Sequence, residues 1–223
     1  MTAIRPDKPA AYYGRPRREM IAQVPATARR VLDVGCGAGA FGAGLKSAWR
    51  ERGESLEIWG LEMDPEAGTR AAAVLDRVLI GDAAALAADL PAGHFDAVVF
   101  NDVLEHVLDP GALLAAMAPL LVAGGCAVAS IPNVRHFPHL WDVVVRGRWD
   151  YTDEGILDRT HLRFFTRASM ERLFAEAGFA VESVMGINPT GSAKFKLVNL
   201  LTLGRWADMR YLQFAIRARR EGP

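Results

Sequence analysis

Short apolar runs alternate with longer segments of helical periodicity through the first part of the chain. Five of these runs have the length and composition of buried strands: Val31–Val34, Leu56–Leu61, Arg77–Ile80, Phe95–Phe100 and Cys126–Ile131. The segments between them predict helices. Two of the helices begin with an Asp-Pro pair, at Asp64 and Asp109, which supplies an N-cap and a proline at the first helical position. Strands that alternate with helices predict right-handed crossovers and a mainly parallel sheet.

The alternation breaks after Ile131. The segment from Pro132 to Phe165 is polar, aromatic and without clear periodicity, so we predict a long irregular connection, which in compact domains is usually functional. Helical periodicity returns between Thr166 and Gly178, and a strand is expected at Phe179–Met185. A helical insertion at Ser192–Met209 and a final alternating strand, "RYLQFAIRARR", complete the chain.

Composition and charge narrow the class of protein. A chain of 223 residues is long enough for one α/β domain and short for two. Lys plus Arg equals Asp plus Glu, at 26 each, which argues against a general nucleic-acid binder. Cys36 and Cys126 are the only cysteines and are expected to be reduced. We see no signal peptide and no apolar run long enough for a bilayer, so we expect a cytoplasmic protein without a membrane span.

The segment "VLDVGCGAGA" joins a strand to a helix through three glycines: Gly35, Gly37 and Gly39. Such a turn predicts an adenosine-cofactor site, because glycines let the backbone approach a ligand and the helix N-terminus offers free amides. A dinucleotide loop would place its third glycine at position 40, where this chain has Ala40. Asp33 would repel a pyrophosphate and would suit a ligand that carries an ammonium group. A dinucleotide is therefore disfavoured.

Polar residues also follow the next three strands. Glu62 lies where a ribose-binding carboxylate is expected, and Asp82 could accept a hydrogen bond from an adenine amino group. The fourth strand ends in "FNDVLEHVLDP", which brings Asn101, Asp102, Glu105 and His106 into one turn. The carboxyl ends of parallel strands meet at one edge of an open α/β sheet, where ligands bind.

These segments together resemble a known family, the class I S-adenosylmethionine-dependent methyltransferases. "VLDVGCGAG", "GLEMDP", "GDAAAL", "FDAVVFNDVLEHV" and "PLLVAGGCAVASIPN" match its motifs in order and at the usual spacing. The resemblance implies a Rossmann-like α/β fold, a seven-stranded, mostly parallel sheet with helices on both faces and a reversed final hairpin. It also implies S-adenosylmethionine as cofactor. The expected cofactor contacts are Tyr13, Asp33, Gly35, Cys36, Gly37, Gly39, Glu62, Met63, Asp82, Ala83, Asn101 and Val103.

Two histidines are candidate catalytic residues, because methyl transfer to a hydroxyl needs a base. His106 follows the fourth strand, although in this family its imidazole often braces the cofactor or caps a helix. His161 lies in the polar, aromatic segment "GILDRTHLRFFT" and is an alternative base. The residues expected to bind the acceptor are Asn133, Arg135, Trp149, Asp158, Arg159 and His161. A metal site at His136 and His139 is weakly supported, so we expect no metal.

The block from "PNVRH" to "HLRFFT" resembles methyltransferases associated with cell-surface polysaccharides, which implies a small sugar, nucleotide-sugar or glycan acceptor methylated on O or N. A non-sugar metabolite and a non-catalytic, cofactor-binding subunit remain alternatives. We expect one methyltransferase domain over 1–223, with a cap segment at 1–28, an acceptor-side insertion at 132–165 and a helical insertion at 187–209. Apolar residues of the latter either pack on the core or form a homodimer patch, and they include Phe195, Leu197 and Trp206.

Overall fold

A single twisted sheet organises the protein. The computed structural model describes residues 17–221, so Tyr13 lies outside the described residues. Within that range seven strands form one sheet in the order β3-β2-β1-β4-β5-β7-β6. The strands are β1 Arg30–Val34, β2 Glu57–Glu62, β3 Arg77–Ile80, β4 Phe95–Asn101, β5 Leu121–Pro132, β6 Phe179–Pro189 and β7 Tyr211–Arg220.

The topology defines where a ligand can bind. The first five strands are parallel, whereas β7 runs antiparallel to both β5 and β6, which confirms the predicted reversed hairpin. The strand order changes direction between β1 and β4, which are direct neighbours. A crevice at the carboxyl ends of such a pair is the usual ligand site in open α/β sheets.

Helices cover both faces of the sheet. They are α1 Arg18–Ile21, α2 Ala40–Arg50, α3 Pro65–Ala71, α4 Ala83–Leu86, α5 Pro110–Met117, α6 Phe137–Arg146, α7 Arg167–Glu176 and α8 Ala193–Leu201. Asp64 and Asp109 cap α3 and α5 through their side chains, as predicted. No helix within residues 17–221 combines the length and the apolar character that crossing a bilayer requires.

The core has a layer on each face of the sheet, and β1 shows why. Leu32 and Val34 point into one buried apolar cluster, and Val31 points into the other. Alternation along a strand then places Asp33 on the same face as Val31, where it is buried. The strand thus carries a carboxyl group into the interior close to the glycine turn.

Two predicted elements differ from the structure. The helix expected over residues 109–125 ends at Met117, because Pro119 cannot continue a helix and Leu121 already pairs with Phe95 in the sheet. The connection at 132–165 is not wholly irregular, since it contains α6. Phe137 of α6 packs with Phe195 of α8 in a third apolar cluster, which joins the two insertions.

Candidate active site

The glycine turn after β1 is shaped by close backbone approach. Gly35 and Gly39 have φ values of 71° and 83°, in the left-handed region that favours glycine. A Cβ at Gly35 would lie 2.7 Å from Cγ2 of Val103, so a side chain there would collide with the segment after β4. The amides of Gly35 and Cys36 both donate to the carbonyl of Leu61, at 2.8 and 3.1 Å. The turn is therefore anchored to the end of β2.

Glu62 connects the same turn to the start of α3. Its carboxylate accepts hydrogen bonds from the amides of Gly37 and Asp64, both at 2.8 Å. A carboxylate offers about four acceptor positions, so these two bonds fix its orientation and leave capacity for a ligand. This geometry fits the predicted binding of two ribose hydroxyls.

Asp33 is a buried carboxyl group with spare hydrogen-bonding capacity. It is 1% exposed, and its Oδ2 makes no hydrogen bond to any residue between 17 and 221. Burial raises the pKa of Asp33 to about 8, and the nearby negative charge of Glu62 adds to the effect. A cationic group beside Oδ2 would stabilise the ionised form. The site therefore fits the ammonium group of an amino-acid-bearing cofactor such as S-adenosylmethionine.

Asn101 provides a second buried polar group of the same kind at the end of β4. Its side-chain oxygen and nitrogen are both buried, and neither has a hydrogen-bond partner among the residues described. Buried amides are nearly always satisfied, so this one points to a ligand that supplies both a donor and an acceptor. Together with Asp33 and Glu62 it gives the carboxyl edge of β1, β2 and β4 the polar groups that the cofactor prediction requires.

The remaining predicted cofactor residues have local roles in the fold. Asp82 caps α4 by accepting from the amide of Ala85 at 3.0 Å, and Ala83 begins that helix. Met63 is 53% exposed. Cys36 is free and buried, and burial raises the pKa of its thiol far above the usual range. Direct contact of these residues with a cofactor stays a prediction.

Asp102, which the sequence places in the polar turn after the fourth strand without a specific role, links several strands in the structure. It has a φ of 54° and accepts hydrogen bonds from Oγ of Ser130 at 2.9 Å and Nε2 of Gln213 at 2.6 Å. It also forms an ion pair with Arg17. These contacts join β4, β5 and β7 beside Asn101, and only the spatial arrangement reveals them.

His106 and His161, the two candidate catalytic residues, lie side by side. Their ring centroids are 4.7 Å apart, although they are 55 positions apart in sequence. The carbonyl of Glu105 accepts from the amides of Leu162 and Arg163, at 2.8 and 3.1 Å, and so holds the two segments together. Nε2 of His161 lies 4.0 Å from Oε1 of Glu105.

Hydrogen bonds select the tautomer of each imidazole. Nδ1 of His106 lies 3.2 Å from the carbonyl of Thr160, and Nδ1 of His161 lies 2.8 Å from the carbonyl of Ile156. A carbonyl can only accept, so each Nδ1 is the donor. In the neutral ring the lone pair is then on Nε2, which is the ring atom that can act as a base or a ligand.

The predicted acceptor residues Asp158 and Arg159, in the loop before α7, contact other residues of the same loop. The carboxylate of Asp158 accepts from the amide and the hydroxyl of Thr160, at 2.9 and 2.6 Å, and shapes the turn that carries His161. The side chain of Arg159 is 64% exposed and pairs with Asp153 at 3.3 Å. A role for Asp158 and Arg159 in acceptor binding stays a prediction.

Asn133 and Arg135 connect the insertion to the segment before β7. The amide of fully buried Asn133 donates to the carbonyls of Asp208 and Tyr211, at 3.1 and 3.0 Å. Arg135 forms an ion pair with Asp208 at 2.9 Å. The structure thus gives both residues a role in positioning the insertion, and their contact with an acceptor stays a prediction.

Five rings form what we call the aromatic row, which runs from His106 through His161, Phe164 and Trp149 to His139. Successive centroids are 4.7, 6.4, 5.6 and 5.3 Å apart. Trp149 is 45% exposed and Phe164 is 36% exposed, so both offer ring surface to solvent. Burial lowers the pKa of His139, which favours the neutral imidazole at that end of the row. The row suits a flat or ring-shaped acceptor.

Comparison with known proteins agrees with this geometry. The family described as "Methyltransferase domain" matches residues 9–184. A ubiquinone biosynthesis O-methyltransferase of Psychrobacter arcticus is 32% identical over 178 residues, which are 75% of this chain and 65% of that protein. The chain thus spans less than two thirds of that relative.

Solved structures show the same fold. A SAM-dependent methyltransferase from Thermotoga maritima aligns with a TM-score of 0.64 and 18% identity, over 94% of this chain and 89% of that one. Another, from Mesorhizobium loti, aligns with a TM-score of 0.62 and 24% identity, over 93% and 99% of the two chains. The predicted fold class is confirmed.

The comparisons confirm the resemblance at its broad level and do not support it at the finer one. The methyltransferase domain and its Rossmann-like fold are as predicted. The Psychrobacter arcticus relative and a 31% identical one from Psychrobacter cryohalolentis are both named for ubiquinone biosynthesis, not for the modification of polysaccharides. The sugar acceptor and the link to carbohydrate biosynthesis therefore have no support from these relatives.

Proposed function

Because the chain belongs to the methyltransferase-domain family, we propose that it transfers the methyl group of S-adenosylmethionine to a hydroxyl oxygen of a small, ring-bearing acceptor. The observation that carries this proposal is the aromatic row, which begins at the two candidate catalytic histidines and continues through the exposed rings of Phe164 and Trp149. S-adenosylmethionine is the cofactor that the family implies, and the buried polar atoms of Asp33 and Asn101 fit it.

Methyl transfer is an in-line displacement in which the enzyme chiefly aligns the acceptor oxygen, the methyl carbon and the sulfur. Asp33 would hold the cofactor's ammonium group, and Glu62 its ribose. The cofactor supplies the activated methyl group. Nε2 of His106 or His161 would accept the proton of the acceptor hydroxyl, since the Nδ1 atoms of both rings donate to carbonyls.

An aromatic hydroxyl is the acceptor that we favour. An imidazole base has a pKa of about 6.5 and a phenol of about 10, whereas an aliphatic hydroxyl is far less acidic. The mismatch for a phenol is about 3.5 units, or roughly 5 kcal/mol, which a short-lived proton transfer can accommodate. The ubiquinone O-methyltransferase relatives support the same choice. A sugar hydroxyl is the second candidate, supported by the resemblance of the segment that carries His161.

The test is a methyl-transfer assay with the purified protein and labelled S-adenosylmethionine. Catechol-type phenols and nucleotide sugars would be offered separately, and products identified by mass spectrometry and NMR. We expect methylation of phenols, with Trp149→Ala raising KM for the acceptor and leaving cofactor binding unchanged. Trp206→Ala is the matched control, because that tryptophan is similarly exposed, at 42%, and lies outside the aromatic row.

Three outcomes would contradict the proposal in different ways. Methylation of nucleotide sugars alone would select the second candidate. Equal effects of the two tryptophan substitutions would remove the aromatic row from acceptor binding. Cofactor binding without transfer to either class would favour a non-catalytic, cofactor-binding subunit.

A further inference from the structure

We propose that Glu105, His106 and His161 form a binding site for a divalent transition-metal ion, with zinc as the ion that their chemistry fits first. One ligand atom from each residue can be chosen so that all three lie within 4.8 Å of one another. Two imidazoles and one carboxylate are a common ligand set of catalytic zinc, which keeps one coordination position open. The proposal departs from the sequence-based expectation of no metal.

The distances require only a small contraction. In a tetrahedral zinc site, bonds of about 2.0–2.2 Å place neighbouring ligand atoms roughly 3.4 Å apart. The separation between Nε2 of His161 and Oε1 of Glu105 is 4.0 Å, and the largest separation in the cluster is below 4.8 Å. Each side chain would therefore move by less than about 1 Å, which rotation about χ angles can provide.

The surroundings already fix the ligand atoms. The Nδ1 atoms of His106 and His161 donate to the carbonyls of Thr160 and Ile156. Metal-binding histidines almost always donate their second ring nitrogen to such an acceptor, which sets the tautomer and orients the ring. In addition, the carbonyl of Glu105 holds the backbone of Leu162, next to His161. The two segments that supply the ligands are thus tied together independently of any ion.

Burial and charge also favour a cation. The side chains of Glu105 and His161 are 1% and 5% exposed, so the carboxylate is far from bulk water. Positive charge stabilises a carboxylate in such surroundings, and a bound cation would supply it. His106 is half-buried, which leaves the cluster accessible on its side. An ion could enter there, and the open position would face the place where the aromatic row begins.

The site deepens the proposed function, on which its catalytic role rests. With an ion bound, Nε2 of His106 and His161 would be ligands, and the ion would replace the imidazoles in activating the acceptor hydroxyl. The bound cation would take the acceptor hydroxyl as its fourth ligand. It would lower the pKa of that hydroxyl, so that the hydroxyl proton leaves to solvent. The oxygen then attacks the methyl carbon. The carbon–oxygen bond forms as the carbon–sulfur bond breaks, and sulfur keeps the electron pair. The products are the methyl ether, S-adenosylhomocysteine and one proton.

The test measures metal binding first, so that it does not depend on the proposed function. The full chain would be stripped with a chelator and titrated with zinc chloride by calorimetry, and with cobalt(II) by visible absorption. We expect one ion per chain and the absorption of tetrahedral cobalt. His106→Gln and His161→Gln should weaken zinc binding by at least about 10- to 100-fold, the range found for loss of even an outer-shell partner.

His94→Gln is the matched control, because His94 lies before β4, at the opposite edge of the sheet, near Arg30 and Trp59. It should bind zinc like the wild type. Circular dichroism and S-adenosylhomocysteine binding would show that each variant is folded. His106→Gln is the decisive variant, because His106 is only half-buried.

The outcomes separate the two proposals. Absence of stoichiometric zinc and cobalt binding by a protein that binds S-adenosylhomocysteine would overturn the metal site and leave the methyltransferase proposal intact. Equal zinc affinity of wild type and both site variants would also overturn it. Zinc binding that the site variants lose, in a protein that methylates no acceptor, would support the site and contradict the proposed function.

Discussion

Replacement of Asp33 by Asn should change the pH dependence of cofactor binding. With a pKa of about 8, only about a tenth of Asp33 is ionised at pH 7. A ligand ammonium group needs the carboxylate, so binding at pH 7 includes the free energy of ionising it, about 1.4 kcal/mol for one pH unit. At pH 9 most of the group is already ionised and this cost nearly disappears.

The magnitudes follow from these populations. A hydrogen bond to a charged group contributes about 1.5–3 kcal/mol, or about 10- to 150-fold in affinity. Asp33→Asn should therefore weaken S-adenosylhomocysteine binding by this factor at pH 9, and by at most about 15-fold at pH 7. Wild-type binding at pH 7 should release about 0.9 proton from Asp33, and the variant should release none from this position.

The assay is calorimetry at pH 7 and pH 9 in buffers that differ in ionisation enthalpy. The ligand's own amino group titrates equally with both proteins, so the ratio of their dissociation constants isolates Asp33. Asp96→Asn is the control, because Asp96 accepts from the amides of Arg29 and Arg30 at the opposite edge of the sheet. An equal ratio at both pH values, or no difference in proton release, would refute the reasoning.

Three further predictions concern the same edge of the sheet. Because the pKa of Asp33 is raised, the stability contributed by its protonated form is present below about pH 4 and is lost as the pH rises to about 8. The melting temperature of Asp33→Asn should therefore rise relative to that of the wild type across this pH range, and parallel plots of melting temperature against pH would contradict this. Glu62→Ala should weaken S-adenosylhomocysteine binding by about 1–3 kcal/mol, as measured by calorimetry, because the ribose loses its acceptor. Gly35→Ala combines a left-handed φ with a Cβ 2.7 Å from Val103, so the free energy of unfolding should fall by about 1–3 kcal/mol in urea titrations. A second substitution, Val103→Ala, should restore part of this loss, whereas fully additive effects of the two substitutions on the free energy of unfolding would show that the collision is absent.

The cofactor edge could be predicted from sequence because its signals are local. The glycine turn follows an apolar strand directly, and Glu62 ends the next strand. Parallel strands bring such ends to one edge without any knowledge of side-chain contacts. Local signals did not predict the reversed final hairpin, because the antiparallel pairing of β7 with β5 is not a local property. That hairpin was expected only from the family resemblance.

The acceptor side was less predictable because a polar side chain looks the same in sequence whether it binds a ligand or the backbone. Asn133 and Asp158 were singled out for their polarity, yet both satisfy nearby main-chain or turn groups. The contact between Glu105 and His161 depends on a long loop returning to the end of β4. By contrast, α6 had a usable signal, since Phe137, Leu140 and Trp141 have helical spacing and pack on one apolar cluster.

The contact between the glycine turn and β2 restricts how this chain can diverge. A Cβ at Gly60 would lie 2.6 Å from Sγ of Cys36, so the thiol occupies the volume that a side chain at position 60 would need. Enlarging either residue alone forces the turn away from the sheet and displaces the amides anchored to Leu61. A larger residue at position 60 would therefore require both a smaller residue at position 36 and a displacement of Leu75, whose Cδ1 would lie 2.8 Å from the added Cβ.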